Sequence, residues 1–295
     1  MPGADTDKVN MTDLADLHSI ISDEFASGGE TKLTAERMRD FEHDGFLVGV
    51  PIFNAAQIEA LRSDLELLMR PEQAANPLFY EYNTNESADP SKRLFHALGA
   101  WRVAPAFHDA VFFRPLISVA EQLLGGAVRF WHDQVFVKPA RDGAVVAWHQ
   151  DYSYWTRTVP CAHLTAWVGL DDSDEENGCV RYVPGSHRWP LLPREALAGD
   201  MDTVLSYLNE EQRKQFHPVA SVLKAGEASF HHPMTLHGSF ENRSDRPRRG
   251  VVINFMRDGV ISDSDEPLLA GVPPIGKGGR IEGKFFPLLS REFSA

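Results

Sequence analysis

The chain has 295 residues, 43% of them hydrophobic and 24% charged, which suits a globular protein with a large core and excludes wholesale disorder, collagen-like repeats and a coiled-coil rod. Acidic residues outnumber basic ones by 42 to 29, a net charge of −13, so the basic face of a general nucleic-acid binder is not expected. Cys161 and Cys179 are too few for a secreted disulfide scaffold. No signal-peptide pattern and no membrane-length apolar run is visible, so a cytoplasmic protein without membrane contact is expected.

Residues 1–30 are polar, with Gly and Ser at the end, and read as a flexible arm carrying one short helix around Leu14–Ile21. Thr34 can cap a helix over Ala35–His43 that Gly45 ends, and Phe46–Val50 follows as a strand. Asn54 caps the next helix, where Ile58, Leu61, Leu65 and Leu68 recur at helical spacing. Residues 71–100 show no period and read as loops. A third helix runs from Pro115 to Leu124 and stops at Gly125-Gly126. Beyond it, short runs rich in Val, Phe, Trp and Tyr alternate with turn residues: Ala127–Val137, Ala144–Asp151, His163–Leu170, Cys179–Val183, Glu227–His231 and Gly250–Met256. Such runs read as strands of a sandwich or barrel, interrupted by a helical insertion near 200–215. The expectation is a mainly β protein with flanking helices, in which residues 31–295 form one domain.

The sharpest chemical feature is Trp148-His149-Gln150-Asp151. On a strand, His149 and Asp151 point the same way and Gln150 the opposite way. An imidazole nitrogen and a carboxylate oxygen two residues apart can share a metal. With a second His they give the facial triad of non-haem Fe(II) oxygenases, which leaves three positions open. The bland reading is a solvated pair in a chain with 12 His. His237 ends a segment that a barrel could bring beside this pair. Arg248, eleven residues on, opens the next apolar run and can clamp a carboxylate through paired hydrogen bonds. The bland reading there is a basic surface turn with Arg243, Arg246 and Arg249.

Taken together, Trp148-His149-Gln150-Asp151, Asn177-Gly178-Cys179, Pro184-Gly185-Ser186-His187 and His237-Gly238-Ser239 with Asn242 and Arg248 resemble the phytanoyl-CoA dioxygenase (PhyH) family, from about Phe41 to Met256. The resemblance implies a double-stranded β-helix, the jelly-roll fold of cupin-like proteins, and dependence on Fe(II), 2-oxoglutarate and O2. Carried over by position, it implies His149, Asp151 and His237 as iron ligands and catalytic residues. Arg248 would hold the distal carboxylate of 2-oxoglutarate, with Ser239 adding a hydrogen bond and Trp167 and Lys138 lying near. Gln150, Tyr152, Tyr154 and Trp155 are substrate-side candidates. His231 and His232 precede His237 but do not fit the frame that Arg248 fixes. His96, His108, His132, His163 and His217 carry no motif and read as core or surface residues.

The activity so implied is hydroxylation of an unactivated carbon of a small organic substrate, with release of succinate and CO2. The carboxylate of Asp151 argues against the related halogenases, in which a small residue takes that place. Two alternatives stay open: a zinc hydrolase using the same His/Asp/His set, which leaves Arg248 and Ser239 without a role, and a jelly roll that binds a small molecule without catalysis.

Overall fold

A computed structural model describes residues 12–290. The part of the expected flexible arm before residue 12 lies outside the described residues. Residues 12–30 are not loose. Asp13 meets Arg102 through paired hydrogen bonds of 3.0 and 2.7 Å, and the Asp109 carboxylate accepts from the backbone N–H groups of Ile21 and Ser22. Within this stretch the expected helix is a single 3-10 turn, Leu14–Asp16.

The helices form where their caps stand. Thr34 Oγ1 accepts from Arg37 N at the start of α1 (Ala35–Asp44), and Gly45 ends it at φ +84°, a conformation that favours glycine. Helix α2 (Ala55–Leu68) opens on a capping box between Asn54 and Gln57, which satisfies two end N–H groups reciprocally. Helix α3 (Pro105–Val111) was not expected; Pro105 starts it and nearly every side chain in it is buried. Helix α4 (Arg114–Leu124) ends on Gly125, and α5 (Glu210–Gln215) lies in the insertion expected near 200–215.

The strands are β1 (Phe46–Pro51), β2 (Glu81–Asn83), β3 (Phe95–Leu98), β4 (Val128–Lys138), β5 (Val146–His149), β6 (Thr158–Val159), β7 (His163–Gly169), β8 (Val180–Tyr182), β9 (Val219–Ala220), β10 (Glu227–His231), β11 (His237–Ser239), β12 (Arg248–Arg257) and β13 (Ile261–Ser262). They form a large antiparallel sheet in the order β1-β10-β7-β12-β4-β3-β2 and a smaller one in the order β5-β11-β8-β9; β13 pairs with β6. The protein is therefore mainly β, with the two facing sheets of a jelly roll. Residues 71–100, expected as loops, contribute β2 and β3, which extend the large sheet along β4.

Strand pleat decides what each face meets. Along β7 and β12, Leu164, Ala166, Val168, Val251, Ile253 and Phe255 point outward and pack with Leu61, Leu65, Leu116 and Val119 of the helices. Between the sheets, Phe46, Phe136, Trp167 and Val252 meet Val146, Val180 and Tyr182. At the inner face of the large sheet, β4 presents His132, Gln134, Phe136 and Lys138, β7 presents Thr165 and Trp167, and β12 presents Arg248, Gly250, Val252 and Asn254. Register places Lys138 opposite Arg248 and Val252 opposite Trp167.

Candidate metal and cosubstrate site

A cavity of about 540 Å3 opens between the two sheets, and His149, Asp151 and His237 lie within it. Antiparallel pairing of β5 with β11 sets His149 opposite His237. The strand expected to reach Asp151 stops at His149, and Asp151 starts a 3-10 turn, Asp151–Tyr154. The carboxylate still turns to the same side. Asp151 Oδ1 is 3.5 Å from His149 Nε2 and 3.6 Å from His237 Nε2, and the three donor atoms lie within 4.8 Å of one another.

Their second contacts settle which atoms are free. His149 Nδ1 lies 2.7 Å from the Ala147 carbonyl and His237 Nδ1 lies 2.9 Å from that of Thr235. A carbonyl only accepts, so each Nδ1 carries the ring proton and each Nε2 keeps its lone pair. Burial, then the neighbouring His149, drives His237 far below its ordinary pKa, so its ring is neutral. Burial alone would raise the Asp151 carboxyl; contacts with His237, His149 and His231 outweigh that and hold it well below the usual carboxylate range. Two imidazole Nε2 atoms and one carboxylate oxygen converging on one point suit a divalent metal such as iron.

At the other end of the cavity floor lie Trp167, Ser239 and Arg248; Lys138, expected beside them, does not line the cavity and stands behind Ser239. Lys138 and Arg248 are fully buried, and among the described residues neither has an ion-pair partner. Arg248 Nε and Nη2 both donate to the Gly178 carbonyl, at 3.1 and 2.9 Å, and its guanidinium lies 4.9 Å from the Trp167 ring centre. Lys138 Nζ donates to Ser239 Oγ at 2.6 Å and to the carbonyls of Ser239 and Phe240. Burial lowers the Arg248 pKa to about 10, and burial followed by the Arg248 charge holds Lys138 well below its ordinary value. Buried cations without counter-charges are costly, and a dianionic cosubstrate would relieve them.

The four substrate-side candidates divide. Tyr154 and Trp155 line the cavity, with the Tyr154 ring beneath the Arg194 guanidinium at 4.7 Å. Gln150 and Tyr152 do not line it, which corrects that expectation. Gln150 points across the pleat and staples two loops, donating to the Met234 carbonyl and accepting from Leu192 N. Tyr152 donates its hydroxyl to the Thr158 carbonyl. The mouth is built from segments 81–98, 154–157, 194–197 and 268–269.

Several polar residues at the site carried no motif. Thr165 and His231 both reach Asp151 Oδ2. His132 stands 3.3 Å from Asn254, and burial lowers its pKa to about 4. His96 Nδ1 meets Glu86 at 2.5 Å while its Nε2 lies 3.0 Å from Gln134 Oε1. The signal that could have found them is strand parity: His132 and Gln134 alternate with Lys138, and Thr165 stands two before Trp167.

A jelly roll with a mononuclear His/Asp/His cluster and buried cations behind it defines the class of non-haem metal oxygenases. The phytanoyl-CoA dioxygenase (PhyH) family model matches residues 41–250, and the chain belongs to that family. The peroxisomal phytanoyl-CoA dioxygenase of Bos taurus is 24% identical over 76% of this chain and 68% of its own length. The ectoine dioxygenase of Bordetella parapertussis is 26% identical over 76% and 75%. The non-heme alpha-ketoglutarate-dependent carbocyclase SnoK, from nogalamycin biosynthesis, superposes with a TM-score of 0.72 at 24% identity, over 89% of this chain and all of its own, and so shares the fold. The protein is an iron- and 2-oxoglutarate-dependent dioxygenase.

Proposed function

We propose that His149, Asp151 and His237 hold one Fe(II) ion and that the chain hydroxylates an unactivated carbon of a small organic molecule. The convergence of the two free Nε2 atoms with Asp151 Oδ1 carries this reading. When bound, iron supplies the oxidising chemistry with O2 and 2-oxoglutarate, giving succinate and CO2 as an oxygen atom enters the substrate. The protein's part is to bind, orient and exclude water. Arg248, with Lys138 and Ser239, takes the distal carboxylate, and Trp167 covers the guanidinium. That pairing sets the cosubstrate's length, because a shorter diacid would leave one end unpaired at a cost of about 3–5 kcal/mol.

The substrate enters between Tyr154, Trp155 and the loops at 81–98 and 268–269. Apolar groups there (Leu98, Trp155, Leu268, Leu269) stand among polar and charged ones (His132, Gln134, Glu86, Arg157, Arg194), which suits a molecule with an apolar body bearing polar groups. No helix among the described residues is long and apolar enough to cross a membrane, and the two cysteines are unpaired; both fit a cytoplasmic enzyme. A role for Arg248, Lys138 and Ser239 separates this reading from zinc hydrolysis. The test is anaerobic addition of Fe(II) and then 2-oxoglutarate to the full chain. A visible metal-to-keto-acid absorption band, followed by succinate on admitting air, is expected. Tight zinc binding with no 2-oxoglutarate binding would overturn the proposal.

A further inference from the structure

We propose that His231 is a positioning residue that, with Tyr182 and Ser229 behind it, keeps Asp151 a one-oxygen ligand. The inference rests on the iron site proposed above and goes beyond it, because His231 lies outside the converging set of donors. Asp151 Oδ2 accepts from His231 Nε2 at 2.9 Å and from Thr165 Oγ1 at 2.6 Å, while Oδ1 is the oxygen facing His149 and His237. A carboxylate only accepts, so His231 Nε2 carries the proton. Its Nδ1 lies 3.1 Å from the Tyr182 hydroxyl, and that hydroxyl lies 2.8 Å from Ser229 Oγ.

This gives a hydrogen-bonded chain, Ser229, Tyr182, His231 and Asp151, in which every member is buried. The chain ends on the oxygen turned away from the metal position. The chemical consequence concerns open coordination. Three protein donor atoms leave three positions, enough for two oxygens of a keto acid and one of O2. A carboxylate binding through both oxygens would take one of them. With Oδ2 already occupied by two donors, chelation by Asp151 requires breaking both hydrogen bonds in a buried site, where an unmet donor is costly. His231 thus fixes both the direction and the denticity of Asp151.

The test uses the full chain and Mn2+ alone, with affinity read from the EPR signal of the free ion. His231→Phe keeps the ring and removes the donor. Partners of metal ligands typically carry about 10- to 100-fold in affinity, and a loss of that size is expected. His231→Gln, whose amide nitrogen reaches the place of Nε2, should recover most of it. Metal-free melting of each variant shows whether the effect follows the fold instead. Wild-type affinity in His231→Phe would overturn the inference, and so would an equal loss in both variants, which would make the imidazole itself a ligand. If His231→Phe does not fold, Tyr182→Phe removes only the hydroxyl that holds the far side of the ring. A severalfold loss then supports the chain, and no loss overturns it. Wild-type protein that binds no Mn2+ would instead defeat the iron-site reading.

Discussion

Arg248 and Lys138 stand directly opposite each other in the register of β12 and β4, two fully buried basic side chains held by backbone carbonyls and one hydroxyl rather than by carboxylates. A fold keeps such a pair only against a cost in desolvation and mutual repulsion. Arg248→Ala is therefore expected to lower 2-oxoglutarate affinity by at least about tenfold, and Lys138→Met, which takes the donor from Ser239 Oγ and two carbonyls, should weaken binding as well. Calorimetric titration checks both; a Lys138→Met protein that binds normally contradicts this account.

The same pair predicts a pH dependence. Burial and Arg248 depress the Lys138 pKa in the free protein, and a bound dianion restores the charged form. Binding then takes up a proton wherever free Lys138 is neutral. Affinity for 2-oxoglutarate should fall as pH rises above that depressed pKa, by up to about tenfold per unit. Below it, Lys138 is charged in both states and the dependence vanishes. In Lys138→Met the alkaline slope should disappear.

Gly250 is a second lever on this floor. A Cβ there would lie 2.3 Å from Trp167 Cζ2 and 2.7 Å from Cε2, so the indole has to move. Gly250→Ala is expected to cost about 1–3 kcal/mol of stability by overpacking and to weaken 2-oxoglutarate binding, since the indole lies over Arg248. Urea unfolding and the cosubstrate titration read the two effects separately.

For the metal, His149→Ala, Asp151→Ala and His237→Ala should each reduce Fe(II) affinity beyond the roughly 10- to 100-fold expected of outer partners. Chelator treatment of the wild type should abolish succinate formation, and Fe(II) should restore it. A variant that retains wild-type metal affinity removes that residue from the ligand set.

The donors that converge in space were the most legible part of the sequence, because His149 and Asp151 are two residues apart and His237 lies in a motif of its own. The long strands were legible too, since β4, β7 and β12 are rich in Val, Phe and Trp and bounded by turn residues. The short strands β2 and β3 were not. Glu81–Asn83 has too few residues for alternation, and in Phe95–Leu98 a polar His96 turns inward to Glu86 and Gln134. Residues 12–30 looked unstructured because their anchors, Arg102 and Asp109, are remote in sequence. Thr165, His231 and Tyr182 were hidden for a related reason: a polar side chain buried for a ligand's sake looks, in one sequence, like any other core residue.

Deep in that N-terminal segment, Phe25 sits edge-on to both Phe53 and Phe113, with ring centres 5.6 Å away in each case. Phe25→Ala is expected to destabilise by about 3–5 kcal/mol. Thermal unfolding checks it; a change near zero would mean that this segment adds nothing to the fold.

The ties of Asp13 to Arg102 have a counterpart at the far end of the chain. Lys284 pairs with Asp16 at 2.8 Å, its carbonyl lies 3.2 Å from His18 Nε2, and Phe285 covers the Arg102 guanidinium at 5.0 Å. The first and last stretches of the described chain are thus buckled together by shared charges, one pair shielded and the other washed by solvent. Concentrated salt should unfasten the Lys284 clasp while sparing the Asp13–Arg102 one, so amide exchange at both ends would quicken in concert and the iron-side strands would keep their protection.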